Sequence, residues 1–93
     1  MAELSAPRIV CAALRRLWTG DHVLVCSPRH FDATMHAQLA AMGMDGRHTE
    51  QGFVDQHGRF YSREAAWPIA LANGQIIKRV GGDEGRLFSE NLY

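Results

Sequence analysis

Two short apolar runs open the chain, residues 8–18 (RIVCAALRRLW) and 22–28 (HVLVCSP), with Thr19, Gly20 and Asp21 between them. Both are rich in β-prone residues, and Gly followed by Asp suits a tight two-residue turn, so the pattern predicts a β-hairpin. With Gly20 and Asp21 at the tip, Trp18 faces Val23, Arg16 faces Val25, Arg15 faces Cys26 and Ala12 faces Arg29. One face then carries Ile9, Cys11, Ala13, Leu17, Leu24 and Cys26, and the other Val10, Ala12, Leu14, Trp18, Val23 and Val25. A hairpin with one wet side would alternate, and this one does not. Both faces are therefore expected to be covered, with a second subunit as one candidate cover. In this register Cys11 sits opposite His30, four residues from Cys26, or roughly 13 Å along a strand. A disulfide needs a Cα separation of about 4.4–6.8 Å, so no bridge is expected and both cysteines read as buried small hydrophobes.

From Phe31 to Met42 the apolar positions Phe31, Met35, Leu39 and Met42 recur at helical spacing, with Asp32 placed to cap the start and Gly43 to end it. Residues 43–51 are polar and punctuated by Gly, hence a loop. Gly52-Phe53-Val54 and Arg59-Phe60-Tyr61 flank Asp55-Gln56-His57-Gly58 as a second short hairpin, and alternation puts Phe60 in the core with Tyr61 outward. Ser62 is a capping hydroxyl for a second helix, Glu64 suits its positive first turn, and Asn73-Gly74 stops it. Pro68 lies inside this helix without the N–H that would bond back to Glu64, which predicts a kink or a late start. A last hairpin is expected from residues 75–80 through the Gly81–Gly85 tip to residues 86–88. The fold class is α+β: a small antiparallel sheet, the N-terminal hairpin plus later hairpins, packed with two α-helices.

At 93 residues the chain makes one domain, 1–93, with no repeat or linker to divide it. Ten Lys+Arg balance ten Asp+Glu, which argues against gripping long nucleic acid through backbone charge. No run approaches a membrane span, and the N-terminus lacks a basic-then-apolar signal pattern, so a cytoplasmic protein with no membrane partner is expected. Domains below roughly 100 residues bury only about 60–70% of their unfolded surface, so self-association is a reasonable way to complete the core. Nine of the ten cations are Arg, whose planar fork matches phosphate oxygens and stacks on flat rings. A GC-rich coding sequence gives the same bias, and composition alone does not choose between them.

Reaction centres leave no mark. The five histidines (His22, His30, His36, His48, His57) contain no i, i+4 pair, no Cys-x-x-Cys or His-Glu-x-x-His occurs, and no metal or cofactor is expected. No Gly-x-Ser-x-Gly elbow is present, and residues 81–85 (GGDEG) lack the Lys-Ser/Thr ending of a phosphate loop. Binding fits better. Arg29-His30 precede the first helix, where a phosphate would meet free N–H groups and an adjacent Arg; a surface carboxylate is the competing partner for Arg29. Arg59-Phe60-Tyr61-Ser62-Arg63 sets two cations around two aromatics at the entry to the second helix. Residues 86–91 (RLFSEN) repeat the theme, a cation and an aromatic followed by side chains able to read a base edge or ribose hydroxyls. A tail that docks on the core is the other reading of that segment.

The segments Glu50–Asp55 (EQGFVD), Gly58-Arg-Phe60, Ser62–Trp67 (SREAAW), Gly74–Ile77 (GQII) and Leu87–Tyr93 (LFSENLY), together with Ile9–Ala13 and Pro28–Phe31, resemble in content and order a group of small phage proteins. The best-understood relatives are the first type of Thoeris anti-defence protein. The resemblance spans roughly residues 8–93. It implies a sponge: an oligomer, dimer or higher, with pockets between subunits, that traps a cyclic ADP-ribose isomer or another cyclic nucleotide without cleaving it. On that reading Arg29 and Arg86, with His30 beside the former, take the phosphates. Phe60 or Phe88 stacks the base, Asn91 with Glu90 reads ribose or base, and Gln51 and Arg63 are second choices. Pro68 and the short N-terminal arm are departures that put the pocket wall and any lid in doubt. Two other classes stay open: an enzyme degrading a cyclic nucleotide, with His30 or His48 as acid or base, and a phage protein that blocks a host protein by direct binding.

Overall fold

The computed structural model describes residues 6–16, 23–44, 47 and 49–92. Its elements are β1 (Ile9–Arg16), β2 (Val23–Ser27), α1 (Ala33–Ala41), β3 (Thr49–Asp55), β4 (Phe60–Ser62) and α2 (Arg63–Ala72), followed by a 3-10 turn at Ser89–Asn91. The four strands form one antiparallel sheet in the order β2-β1-β3-β4. Both helices pack on one of its faces. Ala12 and Leu14 of β1, Val25 of β2 and Phe53 of β3 meet Met35 and Leu39 of α1 and Ala66 and Ala70 of α2, with Leu87 closing the core. This is the expected α+β class.

The N-terminal pair is antiparallel but two residues out of the expected register. Ala12 lies opposite Ser27, Ala13 opposite Cys26 and Leu14 opposite Val25, and a shift after Leu14 puts Arg15 opposite Val23. The strands stop at Arg16 and Val23, and the expected Gly20-Asp21 turn, with Leu17, Trp18 and His22, lies outside the described residues. The other end of β2 fixes the register: Ser27 Oγ donates to the Asp32 carboxylate at 2.6 Å, tying the strand to the cap of α1. Because the slip is an even number of residues, Ala12, Leu14 and Val25 still share a face, as do Cys11, Ala13 and Cys26. The cysteines therefore come closer than expected. Cys26 is opposite Ala13, so Cys11 is its diagonal neighbour, and burial, then the nearby Cys26 thiol, pushes the Cys11 thiol up to about 12. Neither is the buried small hydrophobe expected, since Cys11 is half-buried and Cys26 exposed.

Glutamine amides take over where the ladder ends. Gln38 of α1 accepts from Cys26 N–H at 3.1 Å and donates to Cys26 O at 2.7 Å on the outer edge of β2. Gln75 does the same for Ile9, at 2.9 and 2.7 Å. Gln56 clasps Arg8 N–H and Ala6 O at 2.9 and 2.8 Å. Each side chain offers one donor and one acceptor, as a neighbouring strand would. The expected last hairpin is absent: residues 75–88 form no strand. Gln75 bonds β1 through its side chain, and the Gly-rich tip folds around Asp83, which accepts from Arg79 Nε and Nη2, Val80 N and Asn91 Nδ2. The expected loop at residues 43–51 is shorter, because Thr49, Glu50 and Gln51 already pair with Arg16, Arg15 and Leu14 in β3.

Both helices start as the capping residues require. Asp32 caps α1 by accepting from Met35 N at 2.8 Å, and Ser62 caps α2 by accepting from Ala65 N at 3.1 Å. Met42, at the C-terminal cap of α1, is exposed rather than core. Helix α2 begins at Arg63, so Pro68 causes no late start. Tyr61 and Phe60 reverse their expected sides. Tyr61 packs on the core and donates its hydroxyl to Asp55 at 2.8 Å, while Phe60 lies on the opposite sheet face. There Phe60 crosses Gly52, and the Arg15 guanidinium covers its ring at 4.3 Å while pairing with Glu50 at 2.8 Å. Part of the second face is thus covered from within the chain.

A Cβ at position 52 would collide with the Phe60 ring and with the Tyr61 carbonyl. Gly52→Ala is expected to lower the unfolding free energy by about 1–3 kcal/mol, seen as a lower urea midpoint at unchanged slope.

Candidate ligand-binding site

Six of the residues singled out from the sequence converge near the turn before α1 and the start of α2: His30, Gln51, Arg63, Arg86, Phe88 and Glu90. The approach to α1 sets the first of them. Asp32 holds Ser27 Oγ, Met35 N and Arg29 N, the last at 3.3 Å, and Phe31 takes a left-handed backbone (φ 55°) that returns its N–H to Met35 Sδ at 3.1 Å. A bulky residue rarely adopts that conformation, and the cost is held by these contacts. His30 is turned inward as a result. Its N–H reaches Ser89 Oγ at 3.3 Å, its ring meets Phe53 edge-on at 5.1 Å, and its Nε2 lies 2.8 Å from the Gly52 carbonyl.

A carbonyl only accepts, so Nε2 carries the hydrogen and Nδ1 keeps its lone pair. Burial, then the charge of Arg63, pushes the His30 pKa from its ordinary 6.5 to about 4, against the opposing pull of the Gly52 and Ala13 backbones and of Glu90. His30 is neutral at neutral pH. Arg63 opens α2, donates Nη2 to Gln51 Oε1 at 2.7 Å, and sets its guanidinium 4.9 Å from the Phe88 ring centre. Burial lowers its pKa while Glu90 and Glu64 raise it. The Arg63 carbonyl accepts from Leu87 N at 2.9 Å, which lays the Phe88 segment along the start of α2. Arg86, exposed, comes within 5.9 Å of the same ring from its own turn, where Nε donates to Gly82 O at 3.0 Å. Two guanidiniums on one aromatic ring, with a neutral imidazole and an amide beside them, can hold an anionic group and a flat ring together.

The remaining three residues are placed differently. Arg29 adjoins His30 on the turn before α1, its backbone N–H bound to Asp32. Phe60 is on the other face of the sheet, under Arg15, away from the Phe88 group. Asn91 is fully buried and spent inside the fold. Its Nδ2 donates to Lys78 O and Asp83 Oδ2 at 2.9 and 3.0 Å, and its Oδ1 accepts from Phe88 N at 2.8 Å. Asn91 therefore positions Phe88 rather than facing solvent. Sequence reasoning missed Ser89 and Asp83, which anchor this segment. The signal available was the spacing of Asp83 four positions after Arg79, in the stretch expected to be a hairpin tip.

Among the described residues no group of three or more His, Cys, Asp or Glu side chains is placed to hold a metal ion, and no helix is long and apolar enough to cross a membrane. His22 and His48 lie outside the described residues. A cavity of about 270 Å³ opens elsewhere, lined by Ala6, Pro7, Pro68, Ile69, Ala72 and Asn73. It is apolar, contains none of the nine residues, and accounts for Pro68 as a wall of that cavity rather than of the Phe88 group.

The phage T4 y16D protein family matches residues 8–93. The chain belongs to that family. It is thereby a phage protein, and the y16D match takes in the whole Phe88 group, while Ala6 and Pro7 of the apolar cavity precede it. No curated protein and no solved structure matches the chain.

The His30 geometry sets a pH dependence for this y16D-family protein. Folding depresses the His30 pKa, so between pH 6.5 and about 4 the unfolded chain takes up a proton that the native state refuses. Stability should fall across that window by about 3 kcal/mol. Asp32, held low by Ser27 Oγ and Met35 N–H, contributes stability that is lost only as pH drops below 3.8. Denaturant unfolding at stepped pH should show the earlier loss, and His30→Gln should flatten it while leaving the lower step.

Proposed function

We propose that the protein is an anti-defence sponge that binds a cyclic ADP-ribose-type immune signal, or a related cyclic nucleotide, and keeps it intact. The observation that carries this reading is the approach of Arg63 and Arg86 to the Phe88 ring beside neutral His30. Arg86 and Arg63 clasp the phosphates, Phe88 stacks the purine, and Glu90 and Gln51 accept hydrogen bonds from the sugar or base. Arg29 flanks the group and extends its positive side. To silence a signal the binding has to be nanomolar, about −12 kcal/mol. A ligand of dinucleotide size reaches that only when largely enclosed. Arg86 and Glu90 are exposed on one protomer, so enclosure falls to a second copy, in keeping with the oligomer the resemblance implies. Val10, Leu71 and Ile77 are large apolar side chains left exposed, which supports association.

The chemistry favours binding over turnover. An acid–base role for His30 would need a nitrogen free to exchange its proton near neutral pH, whereas Nε2 is held by the Gly52 carbonyl and the pKa sits near 4. The protein therefore acts by mass action, as a non-enzymatic trap in the cytoplasm of the infected cell.

Calorimetric titration with cyclic ADP-ribose and its linkage isomers should give saturable binding. Mass spectrometry of what is released on heating should return the same molecule, and a hydrolysed product would overturn the reading. Arg86→Ala, at an exposed site whose side chain donates to the Gly82 carbonyl, should weaken binding roughly 10–100-fold, as loss of a charged hydrogen bond does. Light scattering should show a dimer or larger, and a monomer with no affinity for any of these compounds would leave the proposal without support.

A further inference from the structure

Among the described residues two buried side-chain atoms have no hydrogen-bonding partner in the chain, Nδ1 of His30 and Nε of Arg63. They belong to one knot of contacts. The Gly52 carbonyl holds the other His30 nitrogen, the adjacent Gln51 side chain holds Arg63 Nη2, and the Arg63 charge acts on His30. Their needs are opposite and fixed. His30 Nδ1 must accept, because its tautomer is set by Gly52, and Arg63 Nε–H can only donate. Leaving either group buried and unmet is costly, and a native site is expected to answer both.

The chemistry of the occupant follows by elimination. A phosphate oxygen would satisfy Arg63 but set negative charge against the Nδ1 lone pair. An ammonium would satisfy Nδ1 but be repelled by Arg63. An amide carries its donor and its acceptor on different atoms. A hydroxyl accepts and donates through one oxygen, and it alone among these serves both groups at once. We infer that His30 and Arg63 form a receptor for a single hydroxyl, and that in the complex this hydroxyl is one of the ligand's ribose hydroxyls. The inference rests on the sponge reading and sharpens it: the site distinguishes a ribonucleotide from its deoxy counterpart. His30, Arg63 and Phe88 are each only partly buried, which leaves the pair within reach of the sugar of a ligand whose base lies on Phe88.

The test is a titration of the unmodified protein with cyclic ADP-ribose, its linkage isomers, and analogues each lacking one ribose hydroxyl. Removal of one particular hydroxyl should weaken binding about tenfold or more, because it leaves two buried polar atoms unmet. Nitrogen-15 NMR should show the His30 Nδ1 resonance move when the parent ligand binds and hold when that analogue binds. In His30→Phe, which keeps a ring against Phe53, the parent and that analogue should bind alike; if this variant does not fold, the analogue series and the NMR shift decide the matter. Equal affinity for every deoxy analogue, with a static Nδ1 resonance, would overturn the hydroxyl receptor and leave water as the occupant, with the sponge reading intact. No binding of any of the compounds would remove the sponge reading, and this inference with it.

Discussion

The buried amide of Asn91 holds together the C-terminal segment of the molecule. Residues 75–92 contain no strand and only one short 3-10 turn, so their backbone groups have no ladder to satisfy them. Asn91 supplies part of what a ladder would. Its side chain bonds Lys78 O, Asp83 Oδ2 and Phe88 N, and its own carbonyl accepts from Ile77 N and, more weakly, Lys78 N. Asp83, nearly as buried, is held ionised by Arg79 and by Val80 N–H, well below the usual carboxylate range. Arg79 in turn lies 5.3 Å from the Trp67 ring, which docks the whole knot on α2. Phe88, Ser89 and Glu90 owe their position to this network, and so does the orientation of His30, whose backbone N–H ends on Ser89.

Charge within the Phe88 group is arranged by burial rather than by pairing. Arg63 is partly withdrawn from water yet meets a neutral amide, with Glu90 and Glu64 acting on it at longer range. Such a cation keeps its charge unneutralised, because among the described residues no carboxylate pairs with it at contact. His30 beside it is kept uncharged by the same desolvation, so the pair avoids mutual repulsion.

Much of this was legible in the chain and some was not. The caps at Asp32 and Ser62, the stop at Asn73-Gly74 and the Asp55–Gly58 hairpin follow from local chemistry, and the structure has each of them. Six of the nine candidate binding residues form one group, because Arg-plus-aromatic clusters near helix starts are visible at short range. What failed was long-range or hidden in polar residues. The β1–β2 register is set by Ser27 meeting Asp32 rather than by a turn. Thr49–Gln51 reads as loop because its side chains are polar, yet Glu50 and Gln51 have partners in Arg15 and Arg63. Phe60 and Tyr61 exchange sides because Gly52 leaves a flat place for a ring, and a two-residue alternation rule does not see a missing side chain on the next strand. The last hairpin failed because Gln75 replaces a strand with a side chain.

The glutamine clasps have a consequence for the ageing of the molecule. Each depends on one end of the group donating and the other accepting, so an isosteric exchange of –NH₂ for –O⁻ would turn the donating end against a carbonyl oxygen. Deamidation of Gln38 or Gln75 adds almost no volume and would still pry a strand edge open. At these positions a single hydrolysed nitrogen is a structural lesion.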